Sequence, residues 1–250
     1  LVLWNKHKKT YDKLIALGMV VYLLLFVILT LVFNPEGTAE TMIIRAFGSL
    51  AIFMLHIILI IGPLARLNPR FLPLLYNRRH LGVSMFLAAL IHGAFSIIQF
   101  HTLGNVNPIY SIFTSNMDYG SLTNFPFQVL GFLALLILFF MASTSHDFFL
   151  KNLSPSVWKG LHMLVYIAYG LILLHVFLGA FQQETSIATM GILVIGFFLV
   201  AGLHIAAAVK ESKIDSTKGE KDSNGWLKAC LVDEIDENRA KIFTLGGERV

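Results

Sequence analysis

Six long apolar runs, joined by short polar connections, leave this chain few ways to fold. They are Leu14–Phe33, Ile43–Leu64, Leu74–Phe100, Phe127–Ser143, Val157–Phe181 and Ala188–Val209. A helix needs about 17–25 apolar residues to cross a hydrocarbon core roughly 30 Å thick, and each run reaches that range. None alternates with period two, so a membrane β-barrel is excluded and helix is the spanning form that satisfies every backbone group. The composition agrees: 56% of residues are hydrophobic and 14% charged, far from an ordinary soluble domain. The first run follows a basic segment but is too long for a signal-peptide core. Asn34-Pro35-Glu36 after it is no small-residue cleavage site. The fold class expected is an all-α membrane protein, a six-transmembrane-helix bundle in membrane lipid.

The cations are distributed unevenly. Lys6, Lys8, Lys9 and Lys13 precede the first run, and Arg66, Arg70, Arg78 and Arg79 fill the second joint. Lys151 and Lys159 lie in the fourth, and Lys210 and Lys213 follow the last run. The alternate joints, 34–42, 101–126 and 182–187, hold no Lys or Arg. Basic loops stay in the cytoplasm. Both termini are therefore predicted to be cytoplasmic, in what is read as a bacterial cytoplasmic membrane. Only Arg45 runs against the pattern. A net charge of +4 is too small to indicate nucleic acid. The single cysteine, Cys230, excludes an intrachain disulfide and a thiolate-rich metal site. The long outer joint, with Tyr110, Phe113, Tyr119 and Phe125, is expected to be an interfacial loop with aromatic anchors or a short surface helix.

Beyond the last run the texture changes. Residues 211–224 are polar, rich in Lys and Ser, and read as a cytoplasmic linker. Trp226–Asp233 and Ala240–Leu245 look like two strands joined around Asp236-Glu237-Asn238. Residues 225–250 are thus expected to be the first strands of a truncated soluble β domain. The sequence is read as continuing beyond both ends.

Histidines carry the chemistry. His80 and His92 lie in the third run, and His162 and His175 in the fifth. An imidazole in hydrocarbon is costly unless something engages it, and histidine pairs from facing helices are a known way to hold haem iron. Both runs enter from the cytoplasmic side, so His92 and His175 match in depth near the outer face. His80 and His162 match near the inner face. At 1.5 Å per residue the two levels are roughly 18–20 Å apart, which spans much of the membrane core. The angular match is uneven. Twelve residues turn His80 by about 120° from His92, whereas fourteen would nearly align two side chains, and Arg78 stands fourteen before His92. The inner partner of His162 is left open between His80, Arg78 and a histidine of another helix. His56 and His204 read as hydrogen-bonding residues between helices, and His7, His101 and His146 as solvent-facing or interfacial. Arg66, Arg78 and Arg79 suit haem propionates as well as they suit topology. Gly82, Ser84, Ala88, Ala89 and Gly93, with Gly160, Ala168 and Gly170, would let a flat group or a neighbouring helix approach.

Gly62-Pro63-Leu64, Arg78-Arg79-His80-Leu81-Gly82, Leu90-Ile91-His92, Trp158-Lys159-Gly160-Leu161-His162 and Leu173-Leu174-His175 together resemble the ferric-reductase-like transmembrane domain family. The resemblance runs from about Ile43 to Phe177. It implies six helices and b-type haem, two in number, held between the third and fifth. His92, His162 and His175 match the family histidines. His80 falls where bacterial reductase subunits often carry an apolar residue, which keeps Arg78 as an inner candidate. Arg79 stands with Arg78 as a cofactor-binding candidate. Residues 226–250 are similar to the opening strands of a Rieske-type ferredoxin domain. That likeness implies a [2Fe–2S] cluster in a portion that would follow, with a flavin-binding barrel as the competing continuation.

The reading is transmembrane electron transfer by residues 1–210. It would link a cytoplasmic redox module, fused or separate, to a quinone or an outer-face acceptor, as an oxidoreductase or its electron-transfer subunit. A histidine-based proton or ion transporter is the alternative, and it is disfavoured because none of the six runs contains Asp or Glu. A cofactor-free membrane anchor is the other.

Overall fold

The computed structural model describes residues 6–33, 36–182, 187–215, 225–226, 229–235, 244–245 and 248–249. Its helices are α1 Lys6–Phe33, α2 Ala39–Leu67, α3 Leu72–Leu75, α4 Arg78–His101, α5 Pro108–Thr114, α6 Phe127–Ser143, α7 Asp147–Asn152, α8 Pro155–Met163, α9 Val165–Gln182 and α10 Ile187–Asp215. Among the described residues, five stretches are long and apolar enough to cross a membrane: Lys6–Phe33, Ala39–Leu67, Arg78–His101, Pro155–Gly179 and Met190–Lys213. Phe127–Ser143 is a shorter apolar helix of 17 residues.

Local chemistry sets the boundaries. Thr38 caps α2 by accepting from the Thr41 N–H, with Glu40 in the first turn, where a negative charge favours the helix dipole. Ser154 caps α8 and Pro155 takes the first helical position, where its missing N–H costs nothing. Asn107 caps α5 ahead of Pro108 in the same way. The run expected over Leu74–Phe100 is not one helix. Asn77, with φ −125° and ψ 21°, separates the single turn α3 from α4. The fifth run is also divided, at Leu164 between α8 and α9. The outer joint does form a surface helix, α5, anchored by the buried side chain of Ile112.

The centre of the bundle is α2. It lies against α4, α10 and α1, while α6 lies against α9. Leu50, Met54, Leu55 and Leu59 of α2 meet Met85 and Ala88 of α4, Leu138 of α6, Ala168 of α9 and Val200 of α10 in one core. Pro63 is fully buried within α2, and the last turn closes through Asn68 N–H to the Leu64 carbonyl at 2.8 Å. Helix α1 has no buried residue among those described; Ile15, Met19, Tyr22 and Leu23 pack against the core, while Leu24, Leu29 and Val32 are exposed, as lipid allows.

At the C-terminal end, Val232–Glu234 form a 3₁₀ turn closed by Glu234 N–H to the Leu231 carbonyl. This corrects the strand expected there, since acidic residues such as Asp233 and Glu234 are poor strand formers. Thr244–Leu245 (β1) pairs antiparallel with Glu248–Arg249 (β2). The rest of the two expected strands, at 227–228 and 240–243, lies outside the described residues.

Candidate functional site

The histidines sort by what occupies their two ring nitrogens. His92 Nδ1 lies 2.9 Å from the Ile44 carbonyl oxygen, and His175 Nδ1 lies 2.8 Å from that of Phe127. A carbonyl only accepts, so each Nδ1 carries the proton and donates it. Each Nε2 then keeps its lone pair, and among the described residues neither has a protein partner there. The ring centroids are 6.1 Å apart with planes at 79°. Both rings line a cavity of about 310 Å³ bounded by α2, α4, α6 and α9.

That donor set indicates which metal it suits. Nδ1 donation to a backbone carbonyl is the usual way a metal-ligating imidazole is oriented and made more basic. Two metal–nitrogen bonds of about 2 Å and two ring half-widths of about 1.1 Å span roughly 6 Å, which matches the separation. Among the described residues no group of three or more His, Cys, Asp or Glu converges. Protein alone would leave a metal under-coordinated, whereas two axial imidazoles complete an iron whose other positions a macrocycle fills. The residues present fit haem.

The partner helices make room for the rings. A Cβ on Gly48 of α2 would sit 2.7 Å from His92 Nδ1, and one on Gly131 of α6 would sit 2.7 Å from His175 Nδ1. Sequence reasoning looked for small residues on the histidine-bearing helices instead. Of the glycines singled out there, Gly82, Gly160 and Gly170 face open space, and Gly93 is crowded by Leu135. A signal was present in the sequence, since both glycines stand in the runs that must pack beside the histidines, but only the register in space singles them out.

The level of His162 is built differently. His162 stacks on Trp158 with centroids 3.9 Å apart, and its Nδ1 donates to the Trp158 carbonyl at 3.0 Å. Ser145 Oγ lies 3.3 Å from His162 Nε2 but 2.7 Å from the Met141 carbonyl. One hydroxyl hydrogen serves the closer acceptor, so the Nε2 lone pair of His162 stays available. His80 does not meet His162 in a ring contact among the described residues. Its Nδ1 donates to Asp12 Oδ1 at 2.7 Å, and Asn77 Nδ2 reaches the same oxygen at 3.4 Å. Arg79 Nη1 bonds Asp147 Oδ1 at 2.8 Å and the Ser145 carbonyl at 3.2 Å. Asp147 is thereby held below its ordinary carboxyl value, chiefly by the hydrogen bond from Arg79, with the charges of Arg79, Lys8 and His146 adding. Arg66 pairs with Glu211 of α10 at 3.2 Å. Arg78 lies over Gly62.

The remaining histidines divide. His204 is satisfied at both nitrogens, by the Val200 carbonyl and the Tyr166 hydroxyl, as a residue joining helices should be. His146 caps α7 by accepting from the Phe148 N–H. His101, expected to be solvent-facing or interfacial, is not solvent-facing: it is 6% exposed and ties Ser111 of α5 to Gln128 of α6. His56 is buried against Gly196 and meets Tyr169 edge-on at 5.5 Å, and neither its Nε2 nor the Tyr169 hydroxyl has a partner among the described residues.

The family described as "Ferric reductase like transmembrane component" matches residues 47–173. That is 127 of the 250 residues, from α2 into α9, and it includes His80, His92 and His162 and stops two residues before His175. With its membrane-length helices and this match, the chain is an integral membrane protein that belongs to the family of ferric-reductase-like transmembrane components.

Proposed function

We propose that the chain carries electrons across the membrane through two b-type haems, the outer one held axially by His92 of α4 and His175 of α9. The observation that supports this most is the facing of those two imidazoles 6.1 Å apart, each with Nδ1 committed to a backbone carbonyl and Nε2 left for iron. A haem bound there supplies reversible one-electron chemistry. The chain's own part is to fix the ring tautomers, separate the two levels and exclude water. The apolar lining of the cavity, with Ala51, Leu55, Ala134 and Leu138 at its base, serves the last task.

The second haem belongs at the inner level, with His162 as one ligand. Its available Nε2 and its stacking on Trp158 support that role. His80 and Arg78 are the candidates opposite it, with Arg78 and Arg79 near the propionates. Of these, Arg79 is already engaged by Asp147. Phe127–Ser143 makes the sixth crossing, at an angle or in a locally thinned bilayer. Both termini face the cytoplasm of a bacterial cell. Residues 1–210 form the haem-binding domain, 211–224 a linker, and 225–250 the start of a Rieske-like [2Fe–2S] domain, or the attachment to a separate redox partner. Electrons then pass between that module and a quinone or an acceptor at the outer face, which makes the chain an oxidoreductase or its electron-transfer subunit.

The test is optical. Purified protein from haem-replete cells should show reduced b-haem bands and a haem-to-protein ratio near two, and His92→Ala or His175→Ala should lose the outer haem. A colourless, folded preparation would reject the proposal.

A further inference from the structure

The two histidine half-sites are copies of one another at a fixed interval. Phe127 stands 83 residues after Ile44, Gly131 83 after Gly48, and His175 83 after His92. In both halves the histidine lies 48 residues after the carbonyl that receives its Nδ1 proton. In both, a Cβ on the glycine one helical turn beyond that carbonyl would meet the ring at the same 2.7 Å. The interval holds for the rest of the cavity wall. Of its 28 lining residues, 22 fall into eleven pairs 83 apart. The sequence itself repeats in register: Gly48-x-Leu50-Ala51-x-x-x-Leu55 returns as Gly131-x-Leu133-Ala134-x-x-x-Leu138.

One pair of ring contacts between the halves obeys the same relation. A two-fold exchange sends His56 to position 139 and Tyr169 to position 86. His56 meets Tyr169 with centroids 5.5 Å apart, and Phe86 meets Phe139 with centroids 6.1 Å apart. The α2–α4 contact within one half corresponds to α6–α9 within the other, while between the halves α4 lies closer to α6 than α2 does to α9. Correspondence within each hairpin, at one interval, points to an approximate two-fold relation centred between His92 and His175. It fades at the inner level, where the counterpart of His162 is Arg79.

We infer that the outer site is a duplicated helical hairpin whose two copies each supply a carbonyl, a glycine and a histidine, and that Gly48 and Gly131 are positioning residues that set the planes of the two axial imidazoles. This rests on the haem reading above. Neither glycine touches the iron's place. Each leaves the space that lets a ring lie flat enough on the partner helix to reach its carbonyl, so a methyl group there forces the ring to turn and release its Nδ1 bond. A nearly two-fold cavity is also the shape that presents the same wall to both faces of a planar macrocycle.

The experiment uses the full chain in detergent. Gly48→Ala and Gly131→Ala should each weaken haem retention by about 10–100-fold, the range for loss of a ligand's orienting partner. They should also shift the low-spin g values of the ferric haem by similar amounts. Gly82→Ala, at an open position, should do neither. A double-mutant cycle on the thermal midpoint gives the second readout. The penalty of Gly48→Ala should vanish in His92→Ala and persist in His175→Ala, and that of Gly131→Ala should show the reverse. If Gly48→Ala alone does not accumulate, the double variant with His92→Ala should. Equal penalties in all backgrounds, or unshifted g values in haem-loaded glycine variants, would overturn the inference. A wild-type chain without haem would defeat the haem reading at the first measurement, whereas the cycle tests the packing of ring on glycine in either case.

Discussion

A histidine in this bundle is defined less by its position than by whether its second nitrogen has been taken. His204 spends both nitrogens on Tyr166 and Val200, and His101 spends both on Ser111 and Gln128. His92, His175 and His162 each spend Nδ1 on a carbonyl and keep Nε2. This predicts different responses to single substitutions. His162→Ala should lower the haem-to-protein ratio from two to one. His80 also keeps Nε2, since only its Nδ1 is spent on Asp12 at 2.7 Å, but it makes no ring contact with His162 among the described residues, so His80→Ala should leave it at two. A drop to one on His80→Ala would instead make His80 the inner partner. The Arg79–Asp147 pair makes a separate, pH-dependent prediction. The folded-state value of Asp147 lies below its ordinary 3.8, so the carboxylate stabilises the fold fully above that value. The contribution is lost as the pH falls through the depressed one. Asp147→Asn should therefore remove a small acid-side component of the thermal midpoint, of the size of a surface ion pair, about 0–1 kcal/mol. It should leave the profile above pH ~6 parallel to wild type. Divergence that grows toward neutral pH would contradict the assignment.

At the level of elements, α2 bears the packing. Leu55 is fully buried where α2, α4 and α6 meet the cavity floor, so Leu55→Ala should cost about 2–5 kcal/mol by the usual cavity rule. Leu24→Ala on the outward face of α1, where the side chain is 58% exposed, should cost far less. Urea or thermal unfolding in detergent compares the two. The helices were legible in the sequence because length and apolarity alone decide them, and Phe127–Ser143 begins and ends where the apolar run does. Their interruptions were less so. The break at Asn77 and the division at Leu164 fall inside continuous apolar runs, where neither hydropathy nor a strong breaker marks them. Pairing of His92 with His175 followed from matched depth. The tie of His80 to Asp12 and the placing of Ser145 beside His162 depend on how far α1 and the α6–α7 corner reach inward, and no local pattern records that. Gly48 and Gly131 escaped for the same reason: each matters through a residue 44 positions later. The strand expected over Trp226–Asp233 fails at its end, where Val232 and Asp233 enter a 3₁₀ turn with Glu234, because its acidic end turns instead.

In the proposed reading the whole molecule is a conductor across the membrane, nearly symmetric at the level of His92 and His175 and asymmetric at the level of His162. Orientation has its own test, since Cys230 is the only cysteine. In sealed right-side-out vesicles a membrane-impermeant maleimide should spare Cys230 and label Ser121→Cys in a Cys230→Ser background. The reverse pattern would invert the topology. The central claim is that imidazoles of α4 and α9 clasp iron porphyrin between them. The most direct measurement is the low-temperature electron paramagnetic resonance spectrum of the ferric protein, taken with its haem-to-protein ratio, in wild type and in His92→Ala and His175→Ala. The account predicts low-spin bis-imidazole signals in wild type, and loss of the same signal, with one haem equivalent, in either variant. A bis-imidazole signal of undiminished size in both variants would contradict it.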